Sequence, residues 1–379
     1  MRVLLAVGHG GIYSGAAHQA LYQIAGLKRA GVETAAVWGP DDAGDPRGFD
    51  RLKRLDVPLH IIPIDRRPTP ASLRAFRRVL KEFQPDVVEC FKSGAQYHAL
   101  YAGAGLNSHA LLFYRGLSRP MDVFQGLKYR LPRVDRVIAN CADLKQVMAA
   151  TGKIPPARID VVPGEFDPAC GDPATVNAAG LCEELGISGD VLLFTQLGNW
   201  AAWRGQEITL RAAAELKKRG RRFHLLFAGR ETDRLAPLTA ELGLTGRVTL
   251  SPYRRDPERI LKITGVALNA STANESLPGA LLNAQAMGIP ALASRLAGVP
   301  DIIEEGKSGF ILPVGDVPAL ANAMERLLNM PHTEREAMGA AARARALKLF
   351  SSPTRTELRL ASYRKALEHR RRIGHSLGS

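Results

Sequence analysis

Short apolar runs alternate with helical stretches along the whole chain, and this alternation limits the fold more than any other feature. The runs at residues 3–7, 34–37, 60–62, 87–90, 111–114, 136–139 and 160–162 are brief and apolar. The stretches between them carry helical periodicity: Ala17, Ala20, Leu21 and Ile24, for example, fall on one face. This is the pattern of an α/β domain, a parallel sheet with helices on both sides. After Pro163 the series gives way to a stretch rich in Gly, Pro and Asp, and residues 169–188 read as a linker. It then restarts with runs at 191–195, 223–227, 248–250, 266–269 and 289–293. Two consecutive domains are expected, residues 1–168 and 189–352. Ligand sites belong at the carboxyl ends of their strands, facing one cleft. The tail, 353–379, reads as a helix whose end is crowded by Arg364, Lys365, Arg370, Arg371 and Arg372.

A chain of 379 residues is long enough for two full cores. Cys90, Cys141, Cys170 and Cys182 are scattered without metal or disulfide spacing, which fits a reducing, cytoplasmic setting. Residues 1–7 read as a first strand rather than a signal segment, and no apolar run nears the ~20 residues needed to span a bilayer. The formal charge of +14 suits an anionic partner: a lipid surface, nucleic acid or a phosphorylated glycan. No aromatic-basic nucleic-acid motif is present, so nucleic acid is not expected. Within residues 66–83, Phe76, Val79, Leu80 and Phe83 form one helical face beside Arg67, Arg74, Arg77, Arg78 and Lys81. Such a helix either lies on an anionic membrane or is a domain helix with a solvated basic face.

The stretch 271–293, STANESLPGALLNAQAMGIPALA, reads as a loop, a short helix and a strand. Pro278 fits the first helical turn and Gly288 the stop. The unit aims the Glu275 carboxylate and several free backbone N–H groups at one point, which suits a ligand with hydroxyls at one end and phosphates at the other. The stretch resembles the nucleotide-sugar signature of retaining glycosyltransferases of the GT-B fold, family 4. In that family a second Glu follows the first by eight positions. Here that position is Asn283, which keeps an acceptor and adds donors. The resemblance implies two Rossmann-like domains facing across a cleft, with the C-terminal helix crossing back to the first. It also implies donor contacts from Ser276, Leu277, Pro278, Gly279 and Asn283.

Other segments carry the same resemblance. The loop of residues 8–16 resembles the family's first-strand Gly-Gly loop and implies that Gly10 and Gly11 approach the donor and Ser14 the acceptor. Residues 198–205, GNWAAWRG, stand where the family has a Gly-Arg and then a Lys-Gly that neutralise the diphosphate. Arg204 takes the Lys position, with Gly198 before it, and Asn199 takes the Arg position. Trp200 and Trp203 either line the cleft or pack. Gly229 and Arg230 end another strand near the expected phosphates, and residues 253–256 fall where the family rests its nucleobase. Arg115 stands where many members carry a His. It stays charged near neutral pH and cannot serve as a base, but it can meet a phosphate or an acidic sugar. Its Arg-Gly-Leu-Ser setting is similar to enzymes of bacterial surface-polysaccharide assembly. Glu89, Lys92, Ser93 and His98 lie where the family places acceptor contacts.

No Asp-x-Asp and no paired-histidine motif occurs, so a metal-independent enzyme without a bound cofactor is expected. The reaction implied is sugar transfer from a nucleotide-diphosphate sugar to a hydroxyl of a glycan or lipid-linked acceptor, with retention. Glu275, Arg204 and Arg115 are its candidate catalytic residues. A nucleotide-sugar epimerase or hydrolase, and a non-catalytic sugar-nucleotide binder, would use the same parts.

Overall fold

The computed structural model describes residues 1–8, 15–40, 50–64, 67–106, 108–188 and 191–376. The chain divides into two compact units, 1–165 with 352–379, and 166–351.

The first unit holds strands β1 (Arg2–Val7), β2 (Glu33–Trp38), β3 (Leu59–Ile61), β4 (Val87–Phe91), β5 (Ala110–Arg115), β6 (Arg136–Ala139) and β7 (Ile159–Val161). They form one parallel sheet in the order β3-β2-β1-β4-β5-β6-β7. β1 and β4 are buried along almost their whole length, as expected of central strands covered on both faces. The helix Gly15–Arg29 buries Ala17, Ala20, Leu21, Ile24 and Leu27, extending the face read from its periodicity. The C-terminal helix Ser352–Ser376 belongs to this unit and adds Tyr363 and Ala366 to its core.

The second unit holds β8 (Leu193–Leu197), β9 (His224–Ala228), β10 (Val248–Ser251), β11 (Val266–Asn269), β12 (Ala291–Ser294) and β13 (Gly309–Leu312). Its parallel order is β10-β9-β8-β11-β12-β13. β13 has no counterpart among the sequence expectations. It is only four residues long, Gly309-Phe310-Ile311-Leu312, cut off by Pro313 and half-exposed at one end. Gly309 holds it in place: at φ 153° its backbone lies so close to β12 that a Cβ would sit 2.1 Å from the Ala291 carbonyl oxygen.

Residues 169–188 are not a free linker. Leu181 and Ile187 pack with Leu193, Leu226, Ala228 and Ile260 in a small apolar cluster of the second unit. The strand order reverses beside β1 and β4 in the first unit and beside β8 and β11 in the second. In open α/β sheets such crevices are where ligands bind.

Candidate functional site

In the second unit the loops after β8 and β11 are joined into one structure. The Thr272 N–H donates to the Trp203 carbonyl at 2.7 Å, and the Thr272 hydroxyl donates to the same oxygen at 3.2 Å. Gly205, at φ 66°, lies so close to the Ala270 carbonyl that a Cβ would come within 1.9 Å of it. Only glycine allows that approach. From this junction Arg204 reaches Glu275, Nη1 to Oε1 at 3.1 Å, with the Glu275 side chain 11% exposed and Arg204 30% exposed. The Ser271 hydroxyl donates to the same carboxylate oxygen at 3.3 Å. Burial pushes the Glu275 carboxyl above its ordinary pKa, against the pull of Arg204 and of the Ser271 hydrogen bond.

Two helix N-termini border this pair, those of Gln206–Lys218 and Gly279–Ala286, and neither has a side-chain cap. Their first N–H groups suit an anion. Pro278 is the N-cap, not a first-turn residue; its carbonyl accepts from Leu281 and Leu282, both at 3.1 Å. Gly288 follows the C-cap at φ 78°, as its position implies. The Ser276 carbonyl accepts the Gly298 N–H, and Ser276 and Leu277 are buried.

Asn199 Oδ1 accepts the Arg230 N–H at 3.0 Å, tying the β8 loop to the β9 loop, where Gly229 packs against the Gly198 backbone. Arg230 lies over the Tyr253 ring at 5.7 Å. Trp200 packs against the unit's core with Arg234 over its ring, and Trp203 carries Arg204 over its face at 4.6 Å. Asn283 Oδ1 accepts the Asp167 N–H at 2.8 Å, which anchors the start of this unit. Arg254 is bound by Asp256 and Glu184, so it braces the segment after β10.

In the first unit, Gly10, Gly11 and Ser14 lie outside the described residues. Lys92 follows β4 directly at φ 68°, and burial lowers its pKa to about 8. Ser93 beside it accepts from Lys128 at 3.4 Å. Arg115 ends β5 and donates to the Arg119 carbonyl at 2.9 Å.

Two acceptor-side expectations are corrected. Glu89 is fully buried and binds the C-terminal helix: Arg359 pairs with it, the Tyr363 hydroxyl donates to it at 2.5 Å, and the Gln23 amide donates at 2.7 Å. His98 is also fully buried. Its Nδ1–H donates to the Gly94 carbonyl at 2.9 Å, which leaves Nε2 to accept the Ser72 hydroxyl at 2.8 Å. Neither can reach a ligand.

The amphipathic-membrane reading of the helix Pro70–Phe83 also fails. Phe76, Val79, Leu80 and Phe83 are buried in the domain, and Arg77 donates to the carbonyls of Ala102 and Ala104. Arg67, Arg74, Arg78 and Lys81 are exposed cations without an insertable face. Sequence reasoning missed Gln23, Arg359 and Tyr363, whose partner lies far away along the chain.

Two family models cover most of the chain: Glycosyltransferase Family 4 over residues 13–169 and Glycosyl transferases group 1 over residues 182–345. Over 241 residues, 62% of its length, the chain is 33% identical to the D-inositol 3-phosphate glycosyltransferase of Mycolicibacterium paratuberculosis, spanning 53% of that protein. It thus spans about half the length of the curated relatives it matches. Its fold is similar to that of a glycosyltransferase from Rickettsia africae, with TM-score 0.84 at 19% identity over 97% of this chain and 98% of the other. Anabaena Alr3699/HepE in complex with UDP is similar with TM-score 0.79 at 18% identity, over 96% and 99% of the two chains.

Proposed function

We propose, for a chain that belongs to the family 4-like glycosyltransferases of the GT-B fold, that it moves a sugar from a nucleotide-diphosphate donor to an acceptor hydroxyl with retention. The observation that carries this reading is the Arg204–Glu275 pair, held between two uncapped helix N-termini at the β8/β11 crevice. A preformed cation beside free N–H groups is what a leaving diphosphate requires.

In this reading Glu275 holds Arg204 by one nitrogen and meets the sugar hydroxyls, while the exposed part of the guanidinium fork takes phosphate oxygens. The bond from the anomeric carbon to the diphosphate breaks, the bond to the acceptor oxygen forms on the same face, and the acceptor proton passes to the leaving phosphate. Gly198, Asn199, Gly229, Arg230 and the 276–279 backbone surround the donor. Asn283, with its oxygen engaged by Asp167, offers its NH2 to the ribose. No divalent metal takes part.

Lys92, Ser93 and Arg115 form the acceptor side, and two cations among them favour an acceptor that carries an anionic group. A phosphorylated inositol named for a relative and a UDP complex of a structural neighbour support an anionic acceptor and a UDP-type donor. The acceptor class is a glycan or lipid-linked glycan of the bacterial cell surface, and the protein works in the cytoplasm.

The test is thermal shift and calorimetry against UDP, GDP, ADP and their sugars in EDTA. A saturable shift with one nucleotide, followed by acceptor-dependent donor turnover, is expected. No shift with any of them would overturn the reading. Donor turnover without an acceptor would replace it with hydrolysis or epimerisation.

A further inference from the structure

The charge of this chain is not shared between its units. Residues 1–165 with 352–379 contain 30 Lys and Arg against 17 Asp and Glu, a net +13, whereas residues 166–351 contain 21 against 20, a net +1. The same basic unit carries a cluster of large apolar side chains that face solvent. Val123 is 76% exposed, Phe124 84%, Leu127 51% and Leu117 41%. Three of them lie on the helix Val123–Arg130. Valine, phenylalanine and leucine so close together on one exposed face mark an interaction surface.

The face is presented by a fixed element. Asp122 caps the helix through the Gln125 N–H at 2.8 Å. Gly126 lies against the helix Ala142–Gly152, so close that a Cβ would sit 2.6 Å from the Gly152 carbonyl. Met121, just before the helix, is buried, with its N–H donated to the Thr151 hydroxyl at 3.0 Å. Tyr129 is buried on the inner side. The exposed side chains therefore project from an anchored helix, with Arg115 and Arg119 in the adjoining segment.

We propose that this face, Val123, Phe124 and Leu127 on one anchored helix, docks the first unit onto an anionic bilayer. The apolar side chains enter the headgroup boundary, and the unit's net positive charge is drawn to acidic lipid. A second copy of the chain is the poorer occupant, because two units of net +13 would be brought together. Among the described residues no helix is long and apolar enough to cross a membrane, so the contact is one of lying on the surface. The proposal does not rest on the transfer reading.

It is tested by co-sedimentation of the full chain with phosphatidylcholine vesicles, with and without phosphatidylglycerol. The wild type is expected to bind the acidic vesicles far better than the neutral ones. The double variant Phe124→Ser/Leu127→Ser is expected to lose about ten-fold or more in partitioning, with its circular dichroism, melting temperature and nucleotide-induced shift unchanged. A wild type that stays in the supernatant overturns the proposal. So does a double variant that binds as well as wild type, which would assign adhesion to scattered cations. A wild-type dimer dispersed by the same substitutions would assign the face to a second copy.

Discussion

Glu275 and Lys92 are the two side chains whose protonation the fold disturbs where a ligand is expected. Burial raises the Glu275 pKa above its usual 4.5. Between the usual and the raised value the folded chain holds more protons than the unfolded one, so stability falls as pH rises through that window. The full cost is present at neutral pH. Glu275→Gln removes it, and leaves Arg204 with enough exposure to be solvated. The variant should melt higher than wild type at pH 7, lose that advantage below about pH 4.5, and transfer sugar about a hundredfold more slowly. Scanning calorimetry over pH and a transfer assay measure both arms; a lower melting point at pH 7 would show that Arg204 needs the carboxylate for folding. Lys92 has the opposite perturbation for a base: burial lowers its pKa to about 8. Its charge is lost as pH rises through that value, so the KM for an anionic acceptor should climb above about pH 8. In Lys92→Arg, which stays charged, that limb should vanish. A limb that persists would assign the titration to another group.

At the scale of elements, the first unit's C-terminal helix is held by buried charge. Glu89 on β4 is fully buried against Arg359 and Tyr363, and Asp135, equally buried, is met by Arg370 at 2.9 Å. Removing one member of a buried pair leaves its partner uncompensated. Glu89→Gln should therefore cost about 3–5 kcal/mol, and Glu89→Gln/Arg359→Met should recover most of it, as read from urea midpoints of a double-mutant cycle. Equal losses in the single and double variants would mean that Tyr363 and Gln23 carry the contact. The same pair shows where sequence reading stops. The strands were legible because central parallel strands are apolar on both faces, and the β8 and β11 loops because their glycines, Arg204 and Glu275 have few other reasons to stand at those spacings. Glu89 was not legible: a carboxylate near the end of a strand looks like a ligand contact, and its partners lie 270 and 274 residues further on. Asn199 and Asn283 stand where the resemblance implies donor contacts. In the fold their oxygens accept backbone N–H groups of Arg230 and Asp167. The helix Pro70–Phe83 showed its amphipathic pattern plainly, but the pattern cannot tell a core from a bilayer as the occupant of its apolar face.

At the scale of the whole molecule, the two units differ in how the chain builds them. The second is continuous, 166–351, with its own sheet and core. The first is closed by residues 352–379 returning from the far end of the chain. Deleting that segment takes away Arg359, which pairs with Glu89, and Arg370, one of the two arginines beside Asp135, and removes Tyr363 and Ala366 from the core. The loss of several kcal/mol at the stranded Glu89, with the core contacts of Tyr363 and Ala366, is a large share of the roughly 5–15 kcal/mol that holds a domain folded. Residues 166–351 keep their own sheet and core. Scanning calorimetry of the full chain should therefore show two transitions, and truncation after Ser351 should abolish or sharply lower one of them. The bound nucleotide should raise the other, because Arg204, Glu275 and both uncapped helix N-termini lie within residues 166–351. A single transition that moves as a whole under both truncation and nucleotide would mean that the units fold as one, and that the charge buried beneath the C-terminal helix stabilises the donor crevice as well.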